Sequence, residues 1–322
     1  MSFTLVMVPP HQDDTATWPA KLGEVVPGLR VLRPETPTEV AAALREADAA
    51  YGALPEELLA HAEKLQWLQA PQAGPPPRFY HPKLIEHPVQ VTNMRDTYTD
   101  HVATHTLALV LALARGIPGY VRAQEQSRWA PDWDPSSVLT LAETTALVVG
   151  VGAIGAEVGR MLSAFGTRVT GIDARRTEAA EGFAEILPAE ELDNQLGLAD
   201  IVIITVPHTP ATEGLFNAER LAELRSTAHL INIGRGPTLH LDALNAALEA
   251  GQLAAAALDV FETEPLPDTH PLWQRPDVLI TPHVAGAGPH SEQRRFAVIA
   301  ENAKRFAAGR PLINVVDKHN WY

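Results

Sequence analysis

Arg235, Glu264 and His283 are the residues of this 322-residue chain best placed, by type and surroundings, to do chemistry. Arg235 follows the apolar run His229–Ile233 and is flanked by Gly234 and Gly236, so its backbone can pack closely while its guanidinium reaches into a cleft. A guanidinium offers planar, bidentate hydrogen bonding that suits a carboxylate. His283 stands between the run Val278–Thr281 and Gly286. With an ordinary pKa of about 6.5, an imidazole both gives and takes protons near neutrality. Glu264 lies in Phe261-Glu262-Thr263-Glu264-Pro265, after the run Ala254–Val260. If it reaches the imidazole, it orients the ring and stabilises its protonated form. Singly, each has an ordinary explanation: a surface arginine, a structural histidine, a solvated loop glutamate. As strand-end residues of one sheet they point to function together.

A second stretch, Leu147–Gly155 (LVVGVGAIG), has the order of a dinucleotide site. The apolar Ala146–Val149 reads as a buried parallel strand. It breaks at Gly150-Val151-Gly152-Ala153-Ile154-Gly155 and runs into a helical pattern. In such a site Gly150 allows the tight turn, Gly152 the approach of a pyrophosphate, and Gly155 the close packing of helix on strand. The amides at the helix start face the anion. The next strand, Arg168–Ile172, ends on Asp173, near the position where an acid binds the adenosine ribose hydroxyls. The glycines alone are a weak signal; strand, glycines, helix, strand and acid in sequence are a stronger one.

These residues need a sheet to present them, and the chain alternates strand and helix patterns throughout. Strands are predicted at Phe3–Val8, Leu29–Leu32, Ala49–Gly52, Leu65–Ala70 and Val89–Asn93, with helices at Pro19–Val26, Thr38–Ala47 (capped by Thr36 or Thr38) and Glu56–Ala62. A long helix over His101–Arg115, with a core face of Val102, Leu109, Val110 and Leu113, reads as the crossing between domains. Past Asp173, the runs Asp200–Val206, His229–Ile233, Ala254–Val260 and Val278–Thr281 each end in polar or glycine-rich turns. Ligands of an open α/β sheet bind beyond those carboxyl ends. An amphipathic helix over Ser291–Ala307 closes the pattern.

Composition bounds the rest. The chain suits two domains, and 46% hydrophobic with 20% charged residues describes an ordinary globular protein. A net charge of −14 argues against a nucleic-acid partner. With no cysteine, disulfides, thiolate catalysis and Cys-ligated metals are excluded, and no metal is expected. There is no signal-like leader and no run of membrane-spanning length, so no membrane partner is expected and the expected address is the cytoplasm.

The motifs VGVGAIG, VPHTPATEGLFN (Val206–Asn217), INIGRG (Ile231–Gly236), ALDVFETEPL (Ala257–Leu266) and TPHVAG (Thr281–Gly286), in this order, resemble the D-isomer-specific 2-hydroxyacid dehydrogenase family over nearly the whole chain. The glyoxylate/hydroxypyruvate reductase-like branch is the nearest in kind. The resemblance implies an α/β fold of two doubly wound parallel-sheet domains. A Rossmann-type cofactor domain, about residues 99–285, is inserted into a flavodoxin-like substrate domain built from residues 1–98 and 286–322. It implies an NAD-dependent enzyme interconverting a small 2-keto acid and its D-2-hydroxy acid. Arg235 binds the substrate carboxylate and carbonyl, His283 is the acid/base and Glu264 its partner. Ala73 and Gly74 offer amides to the carboxylate, and Ala153 and Ile154 do so for the pyrophosphate. Val206, Pro207, Thr212 and Gly234 line the cofactor, while Asp259 and the Ile233 carbonyl hold its carboxamide. A homodimer is also implied, with Trp129 or Trp133 either crossing into the neighbour's site or packed in the interface.

Some positions depart from the family pattern. Gly74 is followed by Pro75-Pro76-Pro77, which lack amide donors, and Thr104 replaces a common acid. Asp173 favours NAD, whereas Arg175 and Arg176 could attract the 2′-phosphate of NADP. Other readings of the same fold are a dinucleotide-sensing corepressor, a phosphite dehydrogenase and a phosphoglycerate dehydrogenase. Glu264 argues against formate oxidation.

Overall fold

The computed structural model describes residues 2–131 and 138–322. The chain forms two compact units: residues 1–97 with 288–322, and residues 98–287.

The first unit holds a five-stranded, all-parallel sheet in the order β2-β1-β3-β4-β5. Its strands are β1 (Phe3–Met7), β2 (Leu29–Leu32), β3 (Ala49–Tyr51), β4 (Trp67–Gln69) and β5 (Gln90–Thr92). That order is the flavodoxin-like one. Helices α1 (Trp18–Val25), α2 (Pro37–Leu44), α3 (Glu56–Leu59) and α4 (Pro82–Glu86) connect them. Thr36, not Thr38, caps α2: its hydroxyl accepts from Glu39 N, and the Glu39 carboxylate accepts from Thr36 N. One sheet face packs Val6, Ala50, Leu68 and Val91 against Val40, Leu44, Leu59 and Leu84. On the other face the buried Trp18 and Trp67 meet Phe296 and Phe306 of the C-terminal helix Ser291–Ala307.

The second unit holds seven parallel strands, β6 (Thr145–Val149), β7 (Arg168–Ile172), β8 (Phe183–Leu187), β9 (Ile201–Ile204), β10 (His229–Asn232), β11 (Ala255–Leu258) and β12 (Val278–Ile280). Their order is β12-β11-β10-β9-β6-β7-β8, the Rossmann arrangement. Strand side chains alternate between two cores. Leu147, Val149, Val202 and Ile204 pack with helices α8 (Leu192–Leu196), α9 (Ala218–Ala222) and α10 (Leu241–Glu249). Ala146, Val148, Ile201 and Ile203 pack with α5 (Thr99–Ala114) and α7 (Ala153–Ala164). The expected core face of α5 is buried there, and the whole helix belongs to this unit. Helix α6 (Ile117–Glu125) follows α5, and the C-terminal helix is α11. No single helix among the described residues is long and apolar enough to cross a membrane.

Strand β8 is a departure from the sequence reading. It is an edge strand, with Glu185 exposed, and lacks the apolar run that marks its neighbours. Its anchor is Phe183, whose ring fills the space left by Gly159: a Cβ on that glycine would lie 2.1 Å from it.

Candidate active site

Five adjacent strands of the second unit deliver the chemistry-bearing loops at their carboxyl ends. In sheet order, His283 follows β12, Glu264 follows β11, Arg235 follows β10, Val206 follows β9 and Gly150 follows β6. Between β9 and β6 the strand order reverses, and such a switch point opens a crevice for a ligand.

The glycines divide the work there. Gly150 has φ +101°, and a Cβ on it would lie 2.9 Å from Val206 N. A Cβ on Gly155 would lie 2.0 Å from the Gly150 carbonyl oxygen, whereas one on Gly152 would meet nothing within 4 Å. The turn is therefore tight, the helix is locked to the strand, and space remains at Gly152. Helix α7 starts at Gly152 with no side-chain cap. Its first-turn amides, including those of Ala153 and Ile154, have no partner inside the helix and suit a pyrophosphate. The Thr205 hydroxyl pins the loop, 2.5 Å from the Gly150 carbonyl and 3.1 Å from that of Val149. The Asp173 carboxylate accepts from Val151 N at 2.7 Å and from the amides of Arg175 and Arg176 at 2.9 Å. It thus ties the glycine loop to the end of β7. Thr212 closes the loop beyond β9, its hydroxyl donating to the Pro207 carbonyl at 2.6 Å and accepting from Thr209 N.

His283 and Glu264 meet directly: Nδ1 lies 2.7 Å from Oε2. The other oxygen, Oε1, accepts from Phe261 N at 3.0 Å, so the carboxylate is held from both sides. The nearby Glu262 has a different task, accepting from Leu241 N at the start of α10. His283 keeps about half of its side chain exposed, at 47%. Its backbone is left-handed, φ +53°, with its N–H donated to the Asp259 carbonyl at 2.8 Å. Arg235 is half-buried in extended backbone, and its Nη1 donates to the Gly234 carbonyl at 2.6 Å. Its carbonyl accepts from the Thr238 hydroxyl at 2.6 Å and from Asn232 Nδ2 at 3.3 Å.

The model of the D-isomer specific 2-hydroxyacid dehydrogenase NAD binding domain matches residues 107–285. The chain belongs to this family. It is 35% identical to the glyoxylate/hydroxypyruvate reductase A of Serratia proteamaculans, over 82% of this chain and 83% of that one. A D-isomer specific 2-hydroxyacid dehydrogenase from Xanthobacter autotrophicus, solved with NADPH, superposes with TM-score 0.86 at 33% identity over all of both chains. The NADPH-dependent glyoxylate/hydroxypyruvate reductase of Sinorhizobium meliloti, solved with NADP and sulfate, gives TM-score 0.83 at 28% identity, again over both full chains. As a 2-hydroxyacid dehydrogenase the protein is an oxidoreductase with an NAD(P)-binding Rossmann domain.

In this dehydrogenase the other sequence-predicted positions fall as follows. Ile233 and Gly234 are buried at the end of β10, with Gly234 N bonded to the Asn232 side chain. Asp259 is buried after β11. Ala73 and Gly74 lie in the first unit, where Asn93 Nδ2 holds the Ala73 carbonyl at 2.8 Å and Met94 N holds that of Gln72. Pro77 opens a short 3₁₀ turn, Pro77–Phe79, that leads away from them. Trp129 is 94% exposed, while Trp133 lies outside the described residues. The sequence reading missed Thr205, Asn232 and Thr238. Each acts through a single buried or half-buried polar group, for which no periodic pattern exists. The flanking glycines at 150, 234 and 236 were the available signal.

Proposed function

We propose that this chain reduces a small 2-keto acid to the D-2-hydroxy acid with NAD(P)H and catalyses the reverse oxidation. The observation that carries this reading is the 2.7 Å contact between His283 Nδ1 and Glu264 Oε2, one strand from Arg235 in the sheet. With Nδ1–H donated to Glu264, Nε2 is the nitrogen that passes a proton to the substrate oxygen. Glu264 fixes the ring and stabilises its charged form. The Arg235 fork binds the substrate carboxylate. When bound, the nicotinamide supplies the hydride. His283 protonates the developing alkoxide in reduction and removes that proton in oxidation. Holding the reactants in place accounts for much of the acceleration.

The amides of Ala153 and Ile154 take the pyrophosphate, with Gly150, Gly152 and Gly155 shaping the turn. Val206, Pro207, Thr212 and Gly234 line the cofactor, and Asp259 with the Ile233 carbonyl holds its carboxamide. Residues 99–285 form the cofactor domain, and residues 1–98 with 286–322 the substrate domain, whose turn at Ala73 and Gly74 binds a carboxylate. Glyoxylate and hydroxypyruvate are the substrates named for the Serratia and Sinorhizobium relatives, and they are the first choice here. We further propose a cytoplasmic homodimer, which light scattering on a sizing column tests.

The deciding experiment follows nicotinamide absorbance with NADH and NADPH in parallel, against glyoxylate, hydroxypyruvate, pyruvate, phenylpyruvate and 2-ketoisocaproate. Cofactor oxidation with a clear keto-acid preference is expected. No turnover with any of them overturns the reading. Phosphite oxidation would then redirect it within the fold, and nucleotide-dependent partner binding without turnover would make the protein a sensor.

A further inference from the structure

We infer that His105 is a positioning residue, a hydrogen-bond donor that acts through Thr281 and Asp259 to hold the loop carrying His283. The inference rests on the reading of His283 as the acid/base.

His105 lies on α5, far in sequence from the strand-end loops, and its Nε2 is 3.0 Å from Thr281 Oγ1. Thr281 Oγ1 is in turn 2.6 Å from Asp259 Oδ1. Asp259 is 1% exposed, and its other donors are all backbone. Val284 N reaches Oδ1 and Ala285 N reaches Oδ2, both at 2.9 Å. The Asp259 carbonyl accepts from His283 N at 2.8 Å. The amides of three successive residues, 283 to 285, are therefore tied to one residue. This matters because His283 has φ +53°, a left-handed region that a residue bearing a Cβ enters only at a cost. Such a conformation persists where its surroundings over-determine it.

Proton counting then fixes the role of His105. A carboxylate is acceptor-only, and a threonine hydroxyl has one proton. At 2.6 Å from Asp259 Oδ1, Thr281 must place that proton toward the carboxylate, since two bare oxygens at that distance repel. Its oxygen therefore accepts from His105, so His105 carries a proton on Nε2. The same Nε2 is 3.7 Å from Asp259 Oδ1, close enough to steady the carboxylate through the relay and unable to replace it. With Oδ1 taking Thr281 and Val284 and Oδ2 taking only Ala285, the open acceptor capacity of Asp259 is on Oδ2. His105 thus sets both the loop and the orientation of the residue proposed to hold the nicotinamide.

The test uses the full chain and the variants His105→Leu, His105→Gln and Thr281→Val. Imidazole ¹⁵N–¹H correlation spectra should show His105 protonated at Nε2; an unprotonated Nε2 overturns the proposal. Amide exchange in the segment 283–285 should accelerate by about tenfold in His105→Leu and in Thr281→Val, the effect of one lost buried hydrogen bond. His105→Gln, which restores a donor, should bring it back toward wild type. In 2-keto acid reduction kcat should fall by about tenfold in His105→Leu, with the NADPH dissociation constant, read by fluorescence, moving less than about threefold. The double variant should cost no more than either single one. Unchanged exchange and kcat in His105→Leu overturn the proposal. If the wild type turns over no keto acid, the functional reading fails, while the tautomer and the exchange data still decide this inference.

Discussion

Oε2 of Glu264 lies 2.7 Å from Nδ1 of His283, and Oε1 of the same carboxylate accepts the Phe261 amide. The carboxylate is thus pinned on both oxygens, and it fixes the Nδ1 edge of the imidazole. Replacing His283 by Gln should lower kcat/KM for keto-acid reduction by about 10²–10⁴-fold, the usual span for a lost general acid. Glu264→Gln keeps the shape and loses the charge, so its loss should be smaller, about tenfold or more. Steady-state kinetics with NADPH binding measured alongside checks both, since binding should hold in each.

Gly152 and Gly155 separate binding from folding. A Cβ at Gly152 meets open space, and one at Gly155 meets the Gly150 carbonyl at 2.0 Å. Gly152→Ala should keep stability within about 1 kcal/mol and weaken NADPH binding at least about tenfold, because the methyl occupies room kept for the pyrophosphate. Gly155→Ala should destabilise the fold by about 2 kcal/mol or more through the clash. Urea unfolding and fluorescence titration distinguish the two.

Cofactor choice turns on the end of β7. The Asp173 carboxylate already accepts three backbone amides, those of Val151, Arg175 and Arg176, while two arginine side chains follow it. Replacing Arg175 and Arg176 by Ala should raise the KM for NADPH by about tenfold, the loss of one or two charge-assisted contacts, and move that for NADH by less than about threefold. Equal effects on the two cofactors would remove the arginines from 2′-phosphate recognition.

What was legible in the sequence depended on how many residues share a signal. The run Ile201–Ile204 is apolar at every position because both faces of the strand are covered, and it is wholly buried. Strand β8 escaped because Glu185 and the half-buried Phe183 mark an edge, where one side of the ladder is open. At the site, glycine and proline punctuation located Arg235, Glu264 and His283. In FETEP the acid beside Pro265 is Glu264, while Glu262, two residues earlier, accepts the Leu241 amide at the start of α10. The hydroxyls of Thr205 and Thr281 left no trace, since a single hydrogen bond across a fold has no period.

Acid stability should depend on His229. It is 8% exposed at the start of β10, and burial lowers its pKa from the ordinary 6.5 to about 4. Below the ordinary value the unfolded chain binds a proton that the native state refuses. Stability from this group is therefore complete above about pH 6.5 and drains as pH falls toward 4, by roughly 3 kcal/mol in all. His229→Leu should flatten that limb. Urea midpoints at pH 4.5 and 7.5, in both proteins, measure the difference.

Asn302, in the middle of α11, holds the returning end of the chain in the first unit. It is fully buried: Nδ2 donates to Gln69 Oε1 at 3.1 Å and to the Ile313 carbonyl at 3.2 Å, and Oδ1 accepts from Ile313 N at 2.8 Å. Gln69 Oε1 also accepts from the Thr92 hydroxyl, which accepts from Trp67 Nε1. One amide therefore joins β4, β5, α11 and the segment after it. Asn302→Leu fits the volume but strips the half-buried Ile313 amide and carbonyl of their partner and leaves the buried Gln69 oxygen with the Thr92 hydroxyl alone. An unsatisfied buried group costs about 1–3 kcal/mol, and the half-buried Ile313 groups can turn to water, so the first unit should lose about 2 kcal/mol. The second unit has its own sheet and cores, so the loss should appear as an earlier, separate unfolding step of residues 1–97 and 288–322. Calorimetry together with exchange at the segment after α11 checks this, and a single unshifted transition would show that the network adds nothing to the packing of α11.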